Sequence, residues 1–241
     1  MRVTLARPEQ RNAFDAALIQ ELTEAFSDIG DDVRAVVLSG EGSSFCAGAD
    51  VEWQRASIDL TFEENVEDAL RLYRMLQAID ACPAPVVARV QGYALGGGSG
   101  LVACADIVVA AADATFGFSE VRLGIIPAVI SPFVFVKIGT GAARHLFVTG
   151  ERFDAQTALR LGLVHEVADD LDASVEQRVR AILASGPQAT RAAKELARRG
   201  PREGAELARI AAALRASAEG QAGLRAFLEK RDPPWASKNS S

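Results

Sequence analysis

Short, nearly continuous runs of apolar residues, many of them β-branched, recur in the first half of the chain and predict buried strands. They lie at Val33–Ser39, Ala84–Val90 and Ala105–Ala110, and turn residues bound each run. Runs of this length and composition are typical of strands that are covered on both faces. The pattern therefore predicts a buried sheet at the centre of the fold.

Helical periodicity separates these runs and continues after them. Apolar residues recur on one stripe in Asp15–Ile29 and in Val66–Ile79, which predicts two amphipathic helices. The alternation of strands and helices favours an α/β fold with a parallel sheet and helical crossovers. After Pro127 the periodicity predicts further helices, at 131–138, 142–147, 154–161, 175–184, 190–197 and 203–228.

The C-terminal part of the chain is punctuated by turn residues. Gly200-Pro201 interrupts the helical pattern, and the final segment, 231–241, contains two prolines and a polar tail that we expect to fray. We therefore predict an α/β core over residues 1–190 and a C-terminal helical region with a frayed tail over residues 191–241.

Composition and charge narrow the class of protein. The chain has 241 residues, of which 49% are hydrophobic, enough for a real core. Its net charge of -6 argues against nucleic acid or an anionic membrane as a partner. Cys46, Cys82 and Cys104 lack metal or disulfide spacing, so we expect reduced thiols and no metal. No apolar segment has the length of a signal sequence or membrane span, which predicts a cytoplasmic protein.

Candidate chemistry lies in a glycine-rich segment and a carboxylate that follows it. Gly96, Gly97 and Gly98 are consecutive, although each glycine costs about 0.5–1 kcal/mol relative to alanine inside a regular element. We infer that something approaches this backbone closely and that its bare N–H groups can hold an oxyanion. Glu120 lies among apolar neighbours in Phe116–Pro127, where burial would raise its pKa and suit it to move a proton.

A second glycine loop, Gly40–Asp50, follows the first predicted strand. With the other segments, it makes the sequence resemble the crotonase family, which is the enoyl-CoA hydratase/isomerase group. The resemblance rests on Thr4–Phe14, Phe45–Asp50, the two glycine regions, Ala158–Val164 and Phe227–Arg231, in family order.

The resemblance implies a spiral of ββα units followed by helices that pack in a homotrimer, often as a dimer of trimers. It also implies an acyl-CoA substrate, with coenzyme A bound as part of the thioester and no permanently bound cofactor. The backbone N–H groups of Ala49 and Gly97 would hold the thioester oxygen, and Glu120 would be the catalytic acid and base. The implied substrate-binding residues are Ala47, Asp50, Val51, Gly98 and Gly100, with Arg11, Phe227 and Lys230 near the coenzyme A moiety.

One position departs from the family pattern. Hydratases of this family commonly carry a second glutamate where this chain has Gly100, and glycine cannot transfer a proton. Glu120 could act alone, as in the methylglutaconyl-CoA hydratase-like branch, which Gly98–Asp106, Ser119–Pro127 and Glu151–Asp154 resemble. On that hypothesis, the space above Gly100 accommodates a branched or bulky acyl group.

Two other hypotheses account for the missing glutamate. Glu120 could move a proton between two carbons in a 3-enoyl-CoA to 2-enoyl-CoA isomerase, a reaction that one base can complete. Alternatively, a second carboxylate could fold over the site from a helical flap that carries Glu52, Asp59, Glu63 and Glu64, although such charges usually form a solvated face.

Several other polar residues are interpreted as structural. His145 and His165 lack a Gly-x-Ser-x-Gly partner motif, and Ser99 and Asp106 favour packing and hydrogen-bonding roles. Hydration of a 2-enoyl-CoA, branched or glutaconyl-type, is the leading hypothesis, with the isomerase as its competitor. An RNA-binding or non-catalytic homologue is the alternative of another class, and its candidate surface contains Arg191, Lys194, Arg198, Arg199 and Arg202.

Overall fold

The predicted alternation of strands and helices is present along the described chain. The computed structural model describes residues 1–200 and 203–236. Within these residues, the strands are β1 (Arg2–Leu5), β2 (Val36–Gly40), β3 (Val86–Val90), β4 (Tyr93–Leu95), β5 (Ile107–Ala111), β6 (Thr115–Gly117), β7 (Arg152–Asp154) and β8 (Glu166–Ala168). The helices are α1 (Ala16–Ser27), α2 (Val51–Ala56), α3 (Phe62–Asp80), α4 (Gly97–Cys104), α5 (Ser131–Thr149), α6 (Ala155–Leu161), α7 (Leu171–Leu183), α8 (Pro187–Arg199), α9 (Gly204–Ala216) and α10 (Ala218–Leu228).

The strands form two sheets. The larger sheet has the order β1-β2-β3-β5-β8, with every neighbouring pair parallel. The smaller sheet has the order β4-β6-β7. Each of the units β3-β4-α4 and β5-β6-α5 places its first strand in the larger sheet, its second in the smaller sheet and its helix afterwards. This repeat confirms the predicted ββα organisation.

The larger sheet is covered on both faces, as its apolar runs predict. On β2, Val36 and Leu38 belong to the main core, whereas Val37 belongs to a second cluster on the opposite face. Helix α7 covers that second face with Leu171 and Val175. Because side chains alternate along a strand, a continuous apolar run supplies both clusters.

Capping side chains define where the helices that flank the site begin. The Asp15 carboxylate accepts a hydrogen bond from the Leu18 amide and caps α1. Thr61 and Glu64 form a capping box at the start of α3, which satisfies donors that a helix N-terminus leaves free. Helices α2 and α3 are therefore separate, with their junction near Leu60.

Two breaks interrupt the helices of the C-terminal half. The break predicted between 131–138 and 142–147 is present within α5, because the backbone at Gly139 is non-helical, with φ of 71° and ψ of 160°. The single helix predicted over 203–228 is instead two helices, because Ser217 adopts an extended backbone and caps α10 by accepting a hydrogen bond from the Gly220 amide.

Helix α8 is tied to the α/β core by ion pairs. The predicted division at residue 190 falls within α8, and Lys194 on that helix lies 2.7 Å from Asp106. Arg198 lies 3.0 Å from Asp80 on α3.

Some sequence predictions concern residues outside the described part. These are Pro201, Arg202 and the end of the tail, 237–241. The three cysteines are free and buried, as predicted. Among the described helices, none combines the length and the apolar character that a membrane span requires.

Candidate active site

The loop Ala47–Asp50 is held between two other segments by parallel bridges. Cys46 pairs with Ala94, and Ala49 pairs with Phe14, through backbone hydrogen bonds of 2.9 and 3.0 Å in each bridge. The bonds of the second bridge join Phe14 to the residues on either side of Ala49, so they do not use the Ala49 amide. Within the described residues, this amide donates to no backbone or side-chain acceptor.

The Gly97 amide is a second free donor. Gly97 is the first residue of α4, and it follows Gly96, whose φ of 52° favours glycine. The first amides of a helix have no partner within the helix, and the Gly97 amide has none elsewhere in the described chain. Gly97 and Ala49 line the same cavity, as the family resemblance implies for an oxyanion hole.

Close backbone approach explains the consecutive glycines, but the groups that approach are parts of the protein. A Cβ atom on Gly97 would lie 2.2 Å from Cζ of Phe14, and one on Gly98 would lie 2.2 Å from the carbonyl oxygen of Cys46. Gly98 is buried and does not line the cavity. Its contact with the substrate stays a prediction.

Glu120 begins a short 3-10 helix after β6, and its side chain lines the cavity. A Cβ atom on Gly96 would lie 3.2 Å from its Oε1, which places the carboxyl group beside the residue before Gly97. Its Oε2 is buried and has no hydrogen-bond partner among the described residues. No ion pair with Arg122 is present in this part of the structure. An unpartnered buried carboxylate oxygen is costly, which is typical of a group that meets a ligand.

The environment of Glu120 changes its acidity. Burial raises the pKa of the Glu120 carboxyl above its ordinary value, and a hydrogen bond from its own backbone amide opposes the rise only in part. Such a group takes up a proton more readily than an exposed glutamate does and can release it again, which is what a combined acid and base requires.

The cavity around Glu120 has a volume of about 440 Å³. Ala47 contributes to its wall, and its contact with the substrate stays a prediction. Residues that the sequence interpretation missed also line it. They include Phe14, Trp53, Asn65, Asp68, Leu72, Ile126, Ile130 and Arg152.

The cavity residues on α3 could have been predicted from their spacing. Asn65, Asp68 and Leu72 are three and four positions apart, so they share one helix face, and all three line the cavity. Among the described residues, Asp68 and Glu120 are the acids in that wall.

The four flap carboxylates do not line the cavity. Glu52 pairs with Arg55 at 2.8 Å, and Glu64 accepts hydrogen bonds from Thr61 in the capping box. The hypothesis of a second carboxylate from these four residues is therefore wrong for this conformation, because their side chains are turned to solvent or engaged locally. Asp68, one turn further along α3, lies in the wall instead.

Gly100 does not line the cavity either. It is buried in α4, and a Cβ atom there would lie 2.5 Å from Cγ2 of Ile130. The expectation that an acyl group uses the space above Gly100 is wrong in this structure, because Ile130 fills it. Ile130 itself faces the cavity.

Asp50 and Val51 begin α2 outside the cavity wall. The Asp50 carboxylate accepts from the amides of Glu52 and Trp53, and it lies 3.6 Å from Arg7. Val51 is exposed. The Asp50 carboxylate therefore caps α2, and contact of Asp50 or Val51 with the substrate stays a prediction.

The residues expected near coenzyme A lie apart from the cavity wall. Phe227 and Lys230 are exposed at the end of α10, and neither lines the cavity of this chain. Arg11 adopts a left-handed backbone, and its guanidinium lies 5.7 Å from the centre of the Tyr93 ring. Contact of these three residues with coenzyme A stays a prediction.

The residues interpreted as structural have structural contacts. Ser99 donates to the Ala94 carbonyl at 2.6 Å. The Val108 amide donates to Nδ1 of His165 at 2.9 Å, and burial lowers the pKa of that imidazole. His145 lies 2.7 Å from Glu151 on the surface. No role in the cavity is needed to explain any of them.

The basic cluster on α8 is neutralised by acids. Each of its four described cations forms an ion pair, and the pairs are Arg191–Asp31, Lys194–Asp106, Arg198–Asp80 and Arg199–Glu195. Paired cations offer little field to a polyanion, so this surface gives no support to RNA binding.

Comparisons with known proteins agree with the geometry. The model of the family described as enoyl-CoA hydratase/isomerase matches residues 1–238. A Rhodobacter capsulatus protein named "Probable enoyl-CoA hydratase" is 36% identical over 242 residues, which cover 96% of this chain and 92% of that protein.

Solved structures show the same fold. An enoyl-CoA hydratase from Shewanella pealeana is 40% identical, with a TM-score of 0.89 and coverage of 97% of this chain and 92% of that one. Pseudomonas aeruginosa AtuE is 40% identical, with a TM-score of 0.93 and coverage of 98% and 95%. The fold and its paired free amides define a crotonase-type enzyme. The chain belongs to the enoyl-CoA hydratase/isomerase family.

Proposed function

We propose that the protein catalyses the reversible addition of water to a 2-enoyl-CoA thioester. The observation that carries the proposal is the placement of the Glu120 carboxyl in the same cavity wall as the free amides of Ala49 and Gly97. Two preorganised donors can hold the thioester oxygen, and the neighbouring carboxylate can transfer a proton.

In the proposed reaction, Glu120 takes a proton from water while the water oxygen bonds to the β-carbon. The electron pair of the carbon–carbon double bond moves towards the thioester, and negative charge collects on its oxygen. The N–H groups of Ala49 and Gly97 donate to that oxygen and stabilise the enolate. Glu120 then returns its proton to the α-carbon, which gives the 3-hydroxyacyl thioester and restores the carboxylate.

The raised pKa of Glu120 supports a single acid and base. Because burial disfavours its charged form, the carboxyl binds a proton more readily than an exposed glutamate does. Gly100 leaves no carboxylate at the other family position. We propose that Glu120 performs both proton transfers and that the acyl group is branched or glutaconyl-type. The sequence motifs around Gly98–Asp106 support this substrate class.

Assembly is a further part of the proposal. Large apolar side chains are exposed on α5 and α10, namely Phe135, Val136, Val148, Leu224, Phe227 and Leu228. Exposed apolar patches often mark contact surfaces, and we propose that they pack in a homotrimer or a dimer of trimers.

A test uses 2-enoyl-, 3-enoyl- and 3-methylglutaconyl-CoA thioesters in deuterated water. Hydration gives a 3-hydroxyacyl product with one deuterium at the α-carbon, and we expect this product from the 2-enoyl and 3-methylglutaconyl compounds. Double-bond migration without hydration would instead support the isomerase, which also needs one base beside an oxyanion hole. No turnover of any thioester would contradict both assignments.

A further inference from the structure

Two arginines from distant parts of the chain meet at one aromatic ring. The guanidinium carbon of Arg11 lies 5.7 Å from the centre of the Tyr93 ring, and that of Arg152 lies 5.6 Å from the same centre. Arg11 precedes α1, whereas Arg152 begins β7. The π-electrons of the ring attract both cations, so Tyr93 holds two positive charges at a single ring.

Neither guanidinium is neutralised by the protein. Across residues 1–200 and 203–236, no ion pair or side-chain hydrogen bond involves Arg11 or Arg152. Arg89 and Arg178, by contrast, are paired with Asp172 and Glu166. Two unpaired guanidiniums repel each other, and both keep planar sets of donors that suit a carboxylate or a phosphate.

The position of Arg152 connects this pair of cations to the reacting groups. Arg152 on β7 lies opposite Gly117 on β6. Gly117 in turn precedes Glu120 by three residues. Arg152 lines the same cavity as Glu120 and Gly97. It nevertheless forms no ion pair with Glu120 within the described structure, and the pKa of Glu120 is raised by burial. The positive charge of Arg152 is therefore free to meet a ligand in the cavity.

We infer that Arg152, supported by Tyr93 and Arg11, binds an anionic group of the thioester substrate. The inference rests on the proposed function and adds a substrate contact that the glycine loops do not supply. The anionic group has two sources, which are a carboxylate at the far end of the acyl chain and the phosphates of coenzyme A. Both are recognised by the same charge-assisted hydrogen bonds.

The test measures binding of saturated thioesters, which cannot be hydrated. The probes are glutaryl-CoA, which carries both anions, butyryl-CoA, which carries only the phosphates, and butyryl-pantetheine, which carries neither. Calorimetric titration gives the dissociation constants, with NMR titration for the weaker pantetheine ligand. The variants are Arg152→Gln, Arg152→Lys and, as a matched loss of one charge elsewhere, Arg160→Gln. Arg160 bonds to Thr157 on α6 and does not line the cavity.

Loss of a charge-assisted contact is expected to weaken binding by about tenfold or more. If the acyl carboxylate is the ligand, Arg152→Gln weakens glutaryl-CoA alone. If the phosphates are the ligand, it weakens both CoA thioesters equally and leaves butyryl-pantetheine unchanged. Arg152→Lys should retain part of the affinity, and Arg160→Gln should retain all of it.

Three results would overturn the inference. The first is that Arg152→Gln binds all three probes with unchanged affinity. The second is that it loses the same affinity for all three, which indicates a damaged cavity. The third is that the unmodified protein binds none of the probes. Turnover is measured separately with 2-enoyl-CoA. A protein that binds the saturated thioesters through Arg152 but hydrates nothing would contradict the proposed function and leave this contact standing.

Discussion

Cγ2 of Ile130 occupies the position where a side chain on Gly100 would begin, since a Cβ atom there would lie only 2.5 Å away. Gly100 is fully enclosed in α4, and Ile130 separates it from the cavity. The missing glutamate has therefore not left an open pocket. Ile130 places an apolar side chain in the cavity wall and covers the helix backbone at Gly100.

This contact predicts a coupled effect on stability. Gly100→Ala should lower the free energy of unfolding by about 1–3 kcal/mol through overpacking, although alanine favours a helix by about 1 kcal/mol over glycine. Ile130→Ala should cost about 2–5 kcal/mol through the cavity that it leaves. The double variant should be clearly less destabilised than the sum of the two, as measured by chemical denaturation.

Gly204→Ala on α9 is the control, because nothing lies within 4 Å of a Cβ atom at that position. It should be neutral or mildly stabilising. Strict additivity of Gly100→Ala and Ile130→Ala would show that the two side chains do not compete for the same space.

A second prediction concerns the reacting carboxyl group. Glu120→Gln should lower turnover at least about a hundredfold, because general acid and base catalysis typically contributes 10²–10⁴. KM should stay within a few-fold of its original value, since glutamine preserves size and the amides of Ala49 and Gly97 are untouched. Glu63→Gln, which changes an exposed carboxylate outside the cavity, should leave both constants unchanged. Near-normal turnover by Glu120→Gln on the best substrate would remove Glu120 from the mechanism.

The raised pKa of Glu120 also predicts how stability depends on pH. Burial raises this pKa in the folded state, so the unfolded chain loses the proton first as pH increases. Between the unfolded and folded pKa values, the unfolded state binds fewer protons, and the protein loses stability as pH rises. Glu120→Gln has no such group and should not show this loss.

The measurement compares denaturant unfolding of the two proteins from about pH 4 to pH 7, a range that begins near the ordinary glutamate pKa. The stability of Glu120→Gln relative to the original protein should increase across that range. A constant difference would mean that the carboxyl group titrates alike in the folded and unfolded states.

The fold followed from the sequence because its strands are covered on both faces. The runs around Val36, Val86 and Val108 supply apolar side chains to two opposite clusters, so few polar residues interrupt the pattern. The periodicity of α3 was less informative. It predicts Leu70 on the buried stripe, but this residue is 40% exposed, whereas Leu76 is buried. The N-terminal part of α3 faces the cavity and not the packed core. The apolar side chains in that part are therefore less buried than the periodicity predicts.

The site was only partly predictable, because some of its residues belong to local motifs and others are brought together only by tertiary packing. Glu120 and Gly97 belong to local motifs in which a few adjacent residues define the backbone and the chemistry. Ile130, Asp68 and Arg152 reach the cavity from three separate elements, and only tertiary packing brings them together. The occupied space above Gly100 could not be inferred from Gly100 itself, because the side chain that fills it comes thirty residues later.

A further prediction uses the acid on the α3 wall. The side chain of Asp68 is 17% exposed, and it lies 3.9 Å from Arg71. Its negative charge should oppose a carboxylated acyl chain more than a neutral one. Asp68→Asn is therefore expected to raise kcat/KM for 3-methylglutaconyl-CoA relative to crotonyl-CoA by about three- to tenfold, an electrostatic effect of roughly 0.7–1.4 kcal/mol.

Asp59→Asn removes the same charge outside the cavity wall and should leave the ratio of the two specificity constants unchanged. An equal change in kcat/KM for both substrates after Asp68→Asn would assign Asp68 a structural role. A large loss of kcat on both would instead make it a second proton-transferring group.

The last prediction tests the Gly97 amide, and the structure requires a special background for it. Any side chain at position 97 would collide with Cζ of Phe14, so Gly97→Pro alone would combine a clash with the loss of the N–H group. Phe14→Leu removes the ring atoms that a Cβ atom would meet. In that background, Gly97→Ala and Gly97→Pro both add a Cβ atom, but only proline lacks the amide hydrogen.

Proline is well tolerated at the first position of a helix, and Gly97 holds that position in α4, so both variants should fold. Removing one oxyanion donor costs about 10²–10³ in kcat in a protease. We expect a loss of that order for Phe14→Leu/Gly97→Pro relative to Phe14→Leu/Gly97→Ala, with KM nearly unchanged because the amide acts mainly on the enolate. Circular dichroism and thermal melting check that the two variants are equally folded. Equal turnover by two folded variants would mean that the thioester oxygen is held elsewhere, and the role of the glycine segment would then be limited to packing against Phe14 and Cys46.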